Sequence, residues 1–169
     1  MSNSAAPGAS GAVEVGQAAP AFSLVHQPGQ DPIQLSDYAG EQNVVLLFFP
    51  LAWSSVCTEE LCSIRENYSR YGALDAEILG ISVDSPFALQ AWSKEESFPF
   101  PLLSDFNKEV SGRYGALYDE FFGMQGVSKR AAFVVDKQGI VRYAEVLENA
   151  GEQPNFKAIA EILADSEGS

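Results

Sequence analysis

The chain has 169 residues, 46% of them apolar and 20% charged, enough for one compact domain with a sizeable core. Its net charge of −13, with no basic cluster larger than Lys129-Arg130, argues against nucleic-acid binding, because nothing in it neutralises a row of phosphates. No stretch approaches the roughly 18 uninterrupted apolar residues of a membrane-spanning helix, and Met1 to Ala12 lacks the basic start and apolar core of a signal peptide.

Residues 1–12, rich in Ser, Ala and Gly, are expected to form a disordered tail ahead of a domain spanning 13–169, and the chain to be cytoplasmic. Gly16 to Val25 reads as an extended segment, followed by turn residues Gln27 to Pro32. Ile33 to Ser36 returns as a second strand, and Asp37 to Gly40 is a turn. Val44 to Phe49 is apolar without alternation, the pattern of a strand covered on both faces, and Pro50 ends it. A helix starts near Ser54 to Cys57 and runs toward Tyr71, with Gly72 as its stop. Ile78 to Asp84 is a second buried strand, and Ser85-Pro86 opens a helix through about Ser97. Phe98 to Asp105 reads as a proline-pinned connection into a short helix over about 107–114. Ala132 to Asp136 and Ile140 to Glu145 flank Lys137-Gln138-Gly139 as a hairpin, and a helix from about Asn155 to Ala164 closes the chain. Parallel units followed by an antiparallel hairpin predict an α/β fold: a central mixed sheet flanked by helices on both faces.

Two cysteines and one histidine cannot make the usual zinc sets, and no glycine-rich loop precedes a helix to cradle a phosphate. No metal or cofactor is called for. His26, the lone candidate base for a Cys-His pair, lies in a Pro/Gly-rich turn and reads as a surface residue. Cys57, by contrast, falls where a buried strand turns into a helix, and the free amides and positive dipole of a helix start favour a thiolate. In a reducing cytoplasm the two cysteines are poor candidates for a permanent bridge. On one regular helix, Cys57 and Cys62 would have Cα atoms about 8–9 Å apart, whereas a disulfide needs less than about 7 Å. A bridge therefore requires the helix start to unwind. Two buried free cysteines remain the plain alternative.

Pro50-x-x-x-Ser54-x-x-Cys57 resembles the peroxiredoxin signature Pro-x-x-x-Thr/Ser-x-x-Cys, and Arg130 looks like the active-site arginine of that family, just before a late strand. Gly80 to Asp84, Phe100 to Asp105 and Phe133 to Asp136 match in the expected order, so the likeness spans about residues 14 to 164. Phe49 to Ser54 looks like the AhpE-type one-cysteine enzymes. Cys57 to Cys62 looks like the bacterioferritin-comigratory, or Q-type, enzymes, whose resolving cysteine lies five positions on.

The resemblance implies a thioredoxin-like fold and thiol-dependent reduction of hydrogen peroxide and organic hydroperoxides. Cys57 would attack a peroxide oxygen and become a sulfenic acid. Arg130 would stabilise the thiolate and the developing charge, Ser54 would hydrogen-bond the thiolate or peroxide, and Pro50 would shield the sulfur. Cys62 would resolve the sulfenic acid as an intramolecular disulfide, recycled by thioredoxin or another thiol donor. Trp53 is read as a pocket wall, with core or interface packing as the alternative. Glu60 either orders the helix start or is an exposed acid of the first turn, and Arg65 and Arg113 are read as surface or ion-pair residues. Phe121, Phe122 and Met124 line a substrate or dimer surface or pack ordinarily. A one-cysteine enzyme resolved by an external thiol, or a peroxide sensor or holdase that binds a partner when oxidised, are the rival readings. The chain is expected as a monomer or homodimer.

Overall fold

The structure, a computed structural model, describes residues 13–168; the tail expected at 1–12 lies outside them. Its centre is the all-apolar run read from the sequence. β3 (Asn43–Phe48) is buried at every position because strands flank it on both edges and both of its faces are covered. It pairs in parallel with β4 (Ala76–Ser82), which pairs in parallel with β5 (Leu102–Ser104). On its other edge it pairs antiparallel with β6 (Arg130–Val135), which continues antiparallel into β7 (Val141–Leu147). The sheet order is β5-β4-β3-β6-β7, the mixed thioredoxin-like α/β arrangement that was expected. A small separate ribbon joins β1 (Ser23–Leu24) to β2 (Ile33–Gln34), and Leu35–Tyr38, expected as strand end and turn, forms a 3-10 turn.

The long helix predicted toward Tyr71 is two. α1 (Ser55–Glu66) ends at Asn67, whose φ of −111° leaves the helical range, and α2 (Tyr68–Ala73) follows at once. Gly72 lies inside α2, and the chain is turned instead by Asp75 with φ +57°. α3 (Pro86–Glu96) starts as read: the Ser85 hydroxyl accepts from Ala88 N at 3.2 Å, and Pro86 occupies the first turn. β5 falls in the segment that reads as a connection, since three residues after Pro101 show no periodicity; it pairs with β4, packs against α3, and buries Leu103 in the layer of Phe22 and Tyr114. α4 (Glu109–Arg113) is short, and α5 (Phe156–Gly168) begins where the Asn155 side chain accepts from Ala158 N.

Strand alternation divides the core into two layers. Val45, Leu47, Ile78, Ala132 and Val134 face Leu61, Ile64, Tyr71, Leu89, Trp92, Ile159 and Leu163, so α1, α2, α3 and α5 contribute to one layer. Val44, Leu46, Phe48, Leu79, Ile81 and Phe133 face Phe22, Val110 and Tyr114 on the other. Gly80 pairs with Leu102 across β4 and β5: a methyl on Gly80 would lie 2.7 Å from Leu102 Cδ2 and 3.3 Å from Phe49 Cε1. Gly80→Ala is expected to cost about 1–3 kcal/mol in urea unfolding through this overpacking. The cost should shrink in a Leu102→Ala background, and equal costs in both backgrounds would refute the contact as its cause.

Candidate active site

Three elements converge on one buried cluster. On α1, Cys57, Glu60, Leu61 and Ile64 follow the i, i+3, i+4, i+7 spacing of one helix face, and all four are buried. On β6, Arg130 shares strand parity with Ala132 and Val134, both in the layer that α1 packs upon, so its side chain enters that layer beneath the helix start. Arg130 Nη2 donates to Cys57 Sγ at 3.2 Å and Nη1 to Glu60 Oε1 at 2.6 Å. Its Nε donates to the Ala150 carbonyl at 3.0 Å, from the segment after β7. All three nitrogens of the guanidinium are thus engaged from three directions, which fixes its plane.

Burial opposes the charge of Arg130, but Glu60 and Cys57 beside it outweigh that cost and hold its pKa above the ordinary arginine value. For Glu60 the balance runs the other way. Complete burial pushes its carboxyl up to about 7 against the pull of Arg130, and Oε2 has no hydrogen-bond partner among the described residues. The reading of Glu60 as an exposed first-turn acid is therefore corrected: the apolar stripe of α1 carries it to the sheet. That same spacing from Cys57 was a signal available in the sequence.

The cluster opens to a cleft of about 530 Å³, whose lining includes Pro50, Ser54, Val56, Phe121, Phe122, Met124 and Arg130. Pro50 is buried and forms part of its lining. Ser54 is the residue before α1; its hydroxyl donates to Leu51 O at 3.0 Å and makes no bond to Cys57, one of the two partners expected of it. Trp53 is not part of the cleft wall. With φ +73° it turns away, 55% exposed, and its ring lies 6.4 Å from that of Trp92. Asp84 anchors this loop, taking Ala52 N at 2.7 Å and Ser82 Oγ at 2.6 Å on one carboxylate oxygen. The aromatic wall was not foreseen as a hairpin: Phe121 and Met124 exchange backbone hydrogen bonds around Phe122 (φ +51°) and Gly123 (φ +83°). Cys62 is partly buried and packs against the core layer, with its hydrogen bond going to Glu96 and not to Arg130; both cysteines are free.

A buried thiol beneath a fixed guanidinium, on a thioredoxin-like sheet, is the equipment of a thiol-based redox enzyme. Residues 15–144 match the sequence profile described as the AhpC/TSA family. Alkyl hydroperoxide reductase E of Mycobacterium tuberculosis is 37% identical over 154 residues, covering 90% of this chain and 97% of that protein. The reduced 2-Cys peroxiredoxin of Plasmodium vivax superposes with a TM-score of 0.77 at 30% identity, covering 88% of this chain and 79% of that one. Peroxidoxin BcpB of Mycobacterium tuberculosis gives a TM-score of 0.76 at 27% identity, covering 91% and 96%. The chain belongs to the AhpC/TSA peroxiredoxin family, whose members are thiol-dependent peroxidases.

The raised carboxyl of Glu60 has a consequence for stability. A carboxyl near 7 in the folded chain and about 4.3 when unfolded binds its proton more tightly in the fold. Its contribution is complete below about pH 4.3 and is lost as pH rises toward 7. Urea unfolding from pH 4.5 to 7.5 should therefore show wild type losing stability relative to Glu60→Gln, and parallel profiles would refute the shift.

Proposed function

We propose that the chain reduces hydrogen peroxide and organic hydroperoxides, with Cys57 as nucleophile and Cys62 as resolving thiol. The observation that carries the reading is the 3.2 Å contact of Arg130 Nη2 with Cys57 Sγ where the cleft meets α1. The Cys57 thiolate attacks the terminal peroxide oxygen, the O–O bond breaks, and the leaving oxygen takes a proton to depart as water or an alcohol. Sulfur is oxidised to a sulfenic acid and the peroxide is reduced. Arg130 faces both the sulfur and the space where the peroxide stands, so it stabilises charge that spreads over the two oxygens. Pro50 keeps water from the sulfur, and Ser54, once rotated from Leu51 O, offers its hydroxyl to the peroxide.

Organic hydroperoxides suit the cleft because Val56, Phe121, Phe122 and Met124 offer apolar surface beside the reacting end. Phe122 is 86% exposed, an arrangement that leaves its ring available to an acyl or alkyl chain.

Resolution joins Cys57 to Cys62 with loss of water. Support for the required unwinding comes from the first turn of α1, which no side chain caps. In a reducing cytoplasm, thioredoxin or a similar thiol donor then restores both thiols by exchange.

Cys57→Ser should abolish peroxide consumption in rapid-mixing assays, and retained turnover would remove Cys57 from its role. After one equivalent of peroxide, mass spectrometry should find a 57–62 bridge; a lasting Cys57 sulfenic acid would instead mark a one-cysteine enzyme. Phe122→Ala should raise KM for a long-chain hydroperoxide about 3- to 10-fold, the loss of part of one aromatic contact, and leave that for hydrogen peroxide unmoved. Equal effects on both substrates would assign Phe122 to structure.

A further inference from the structure

Cys62 lies five residues beyond Cys57 and so falls off the α1 face that carries Cys57, Glu60, Leu61 and Ile64. It turns toward the C-terminal end of α3, where its Sγ donates to Glu96 Oε1 at 3.4 Å. Glu96 is the last residue of α3, and Ser97, with φ +56°, ends the helix there. Arg65, one turn after Cys62 on α1, reaches the same residue twice: Nη1 donates to the Glu96 carbonyl at 2.5 Å and lies 3.6 Å from Oε1. Arg65 also pairs with Glu66 at 3.0 Å. The charged groups around the thiol are therefore Glu96 from α3 and Arg65 and Glu66 from α1. This clamp ties Cys62 to α3 through contacts that do not involve the first turn of α1. Cys62 can stay in place while Cys57 moves to it.

Burial, then the hydrogen bond to Glu96, push the Cys62 thiol above its ordinary value, with Arg65 opposing. At neutral pH Cys62 is protonated and a weak nucleophile, which spares it from direct attack on peroxide. It must then lose its proton at the moment it attacks the sulfenic acid.

We propose that Glu96 is the base that receives the Cys62 proton in the resolving step, a role that rests on the reading of Cys62 as the resolving thiol. Cys62 Sγ attacks Cys57 Sγ, the S–O bond of the sulfenic acid breaks, and the departing hydroxyl leaves as water with a proton. Cys57 is reduced and Cys62 oxidised in forming the disulfide, so no outside oxidant is needed. Glu96 Oε1 accepts the thiol proton as the S–S bond forms and can pass it on to the departing hydroxyl. A carboxylate suffices because the sulfur becomes more acidic while its lone pair enters the new bond.

The test is Glu96→Gln, which keeps the size and the acceptor oxygen but removes the base. Reduced protein is mixed with one equivalent of hydrogen peroxide and quenched at intervals between pH 6 and 10, and the 57–62 bridge is counted by mass spectrometry. Cys57 oxidation in the same samples is the reference. At pH 7 the variant should form the bridge at least ~10-fold more slowly than wild type. The gap should narrow steadily as pH rises toward 10, as hydroxide ionises more of the thiol unaided. Glu66→Gln, which removes the neighbouring carboxylate, should stay within about twofold of wild type, since it removes charge but not the acceptor.

Bridge formation in Glu96→Gln as fast as wild type at pH 7, or faster, would overturn the role of Glu96 while leaving Cys62 as resolving thiol. Slowing that is the same at every pH, or matched by Glu66→Gln, would overturn it as well. A wild-type protein that forms no bridge would remove the reading of Cys62 and this inference with it.

Discussion

A guanidinium buried between a helix and a sheet is tolerable only if its charge is answered and its donors are used. Arg130 meets that condition through Glu60, Cys57 and the Ala150 carbonyl, and much of the local structure follows from it. α1 must present an acid as well as a thiol on its inner face. The segment after β7 must turn back over the strand ends, and β6 must begin at Arg130 and not two residues later. The guanidinium is thereby held without freedom to fold back on solvent.

The pair carries an internal tension. Complete burial of Glu60 works against its ionisation while Arg130 works for it, and one carboxylate oxygen has no hydrogen-bond partner among the described residues. An unsatisfied buried oxygen costs free energy in the folded state. The helix start above it lacks a side-chain cap, and the loop leading into it is tethered to Asp84 through Ala52 N. The first turn of α1, which holds Cys57, is thus uncapped, while the part around Cys62 and Arg65 is clamped to Glu96 of α3.

Elements governed by local chemistry were legible in the sequence. The apolar runs of β3 and β4, the Ser85-Pro86 start of α3, and the β6–β7 turn at Gly139 follow from burial, capping and positive φ, which short stretches of sequence encode. β5 was not legible, because three residues acquire strand character only from the neighbour that they pair with. The aromatic hairpin around Phe122 and Gly123 was missed for a related reason: a bulky residue at positive φ is disfavoured locally, and the surrounding contacts impose it. Whether Trp53 walls the cleft or packs elsewhere was open in the sequence; in the fold its ring lies beside Trp92 and outside the cleft lining.

The sequence by itself determined the thiol, its place after a buried strand, the arginine at the start of a late strand and the five-residue offset of the second cysteine. These are matters of residue type and spacing along one chain. Only the tertiary structure decided that Glu60 joins the cluster, that Ser54 is bonded to Leu51, and that Cys62 looks toward α3 and Glu96. Each of these depends on which helix face meets which strand or helix, and that is set by packing between segments as many as 70 residues apart.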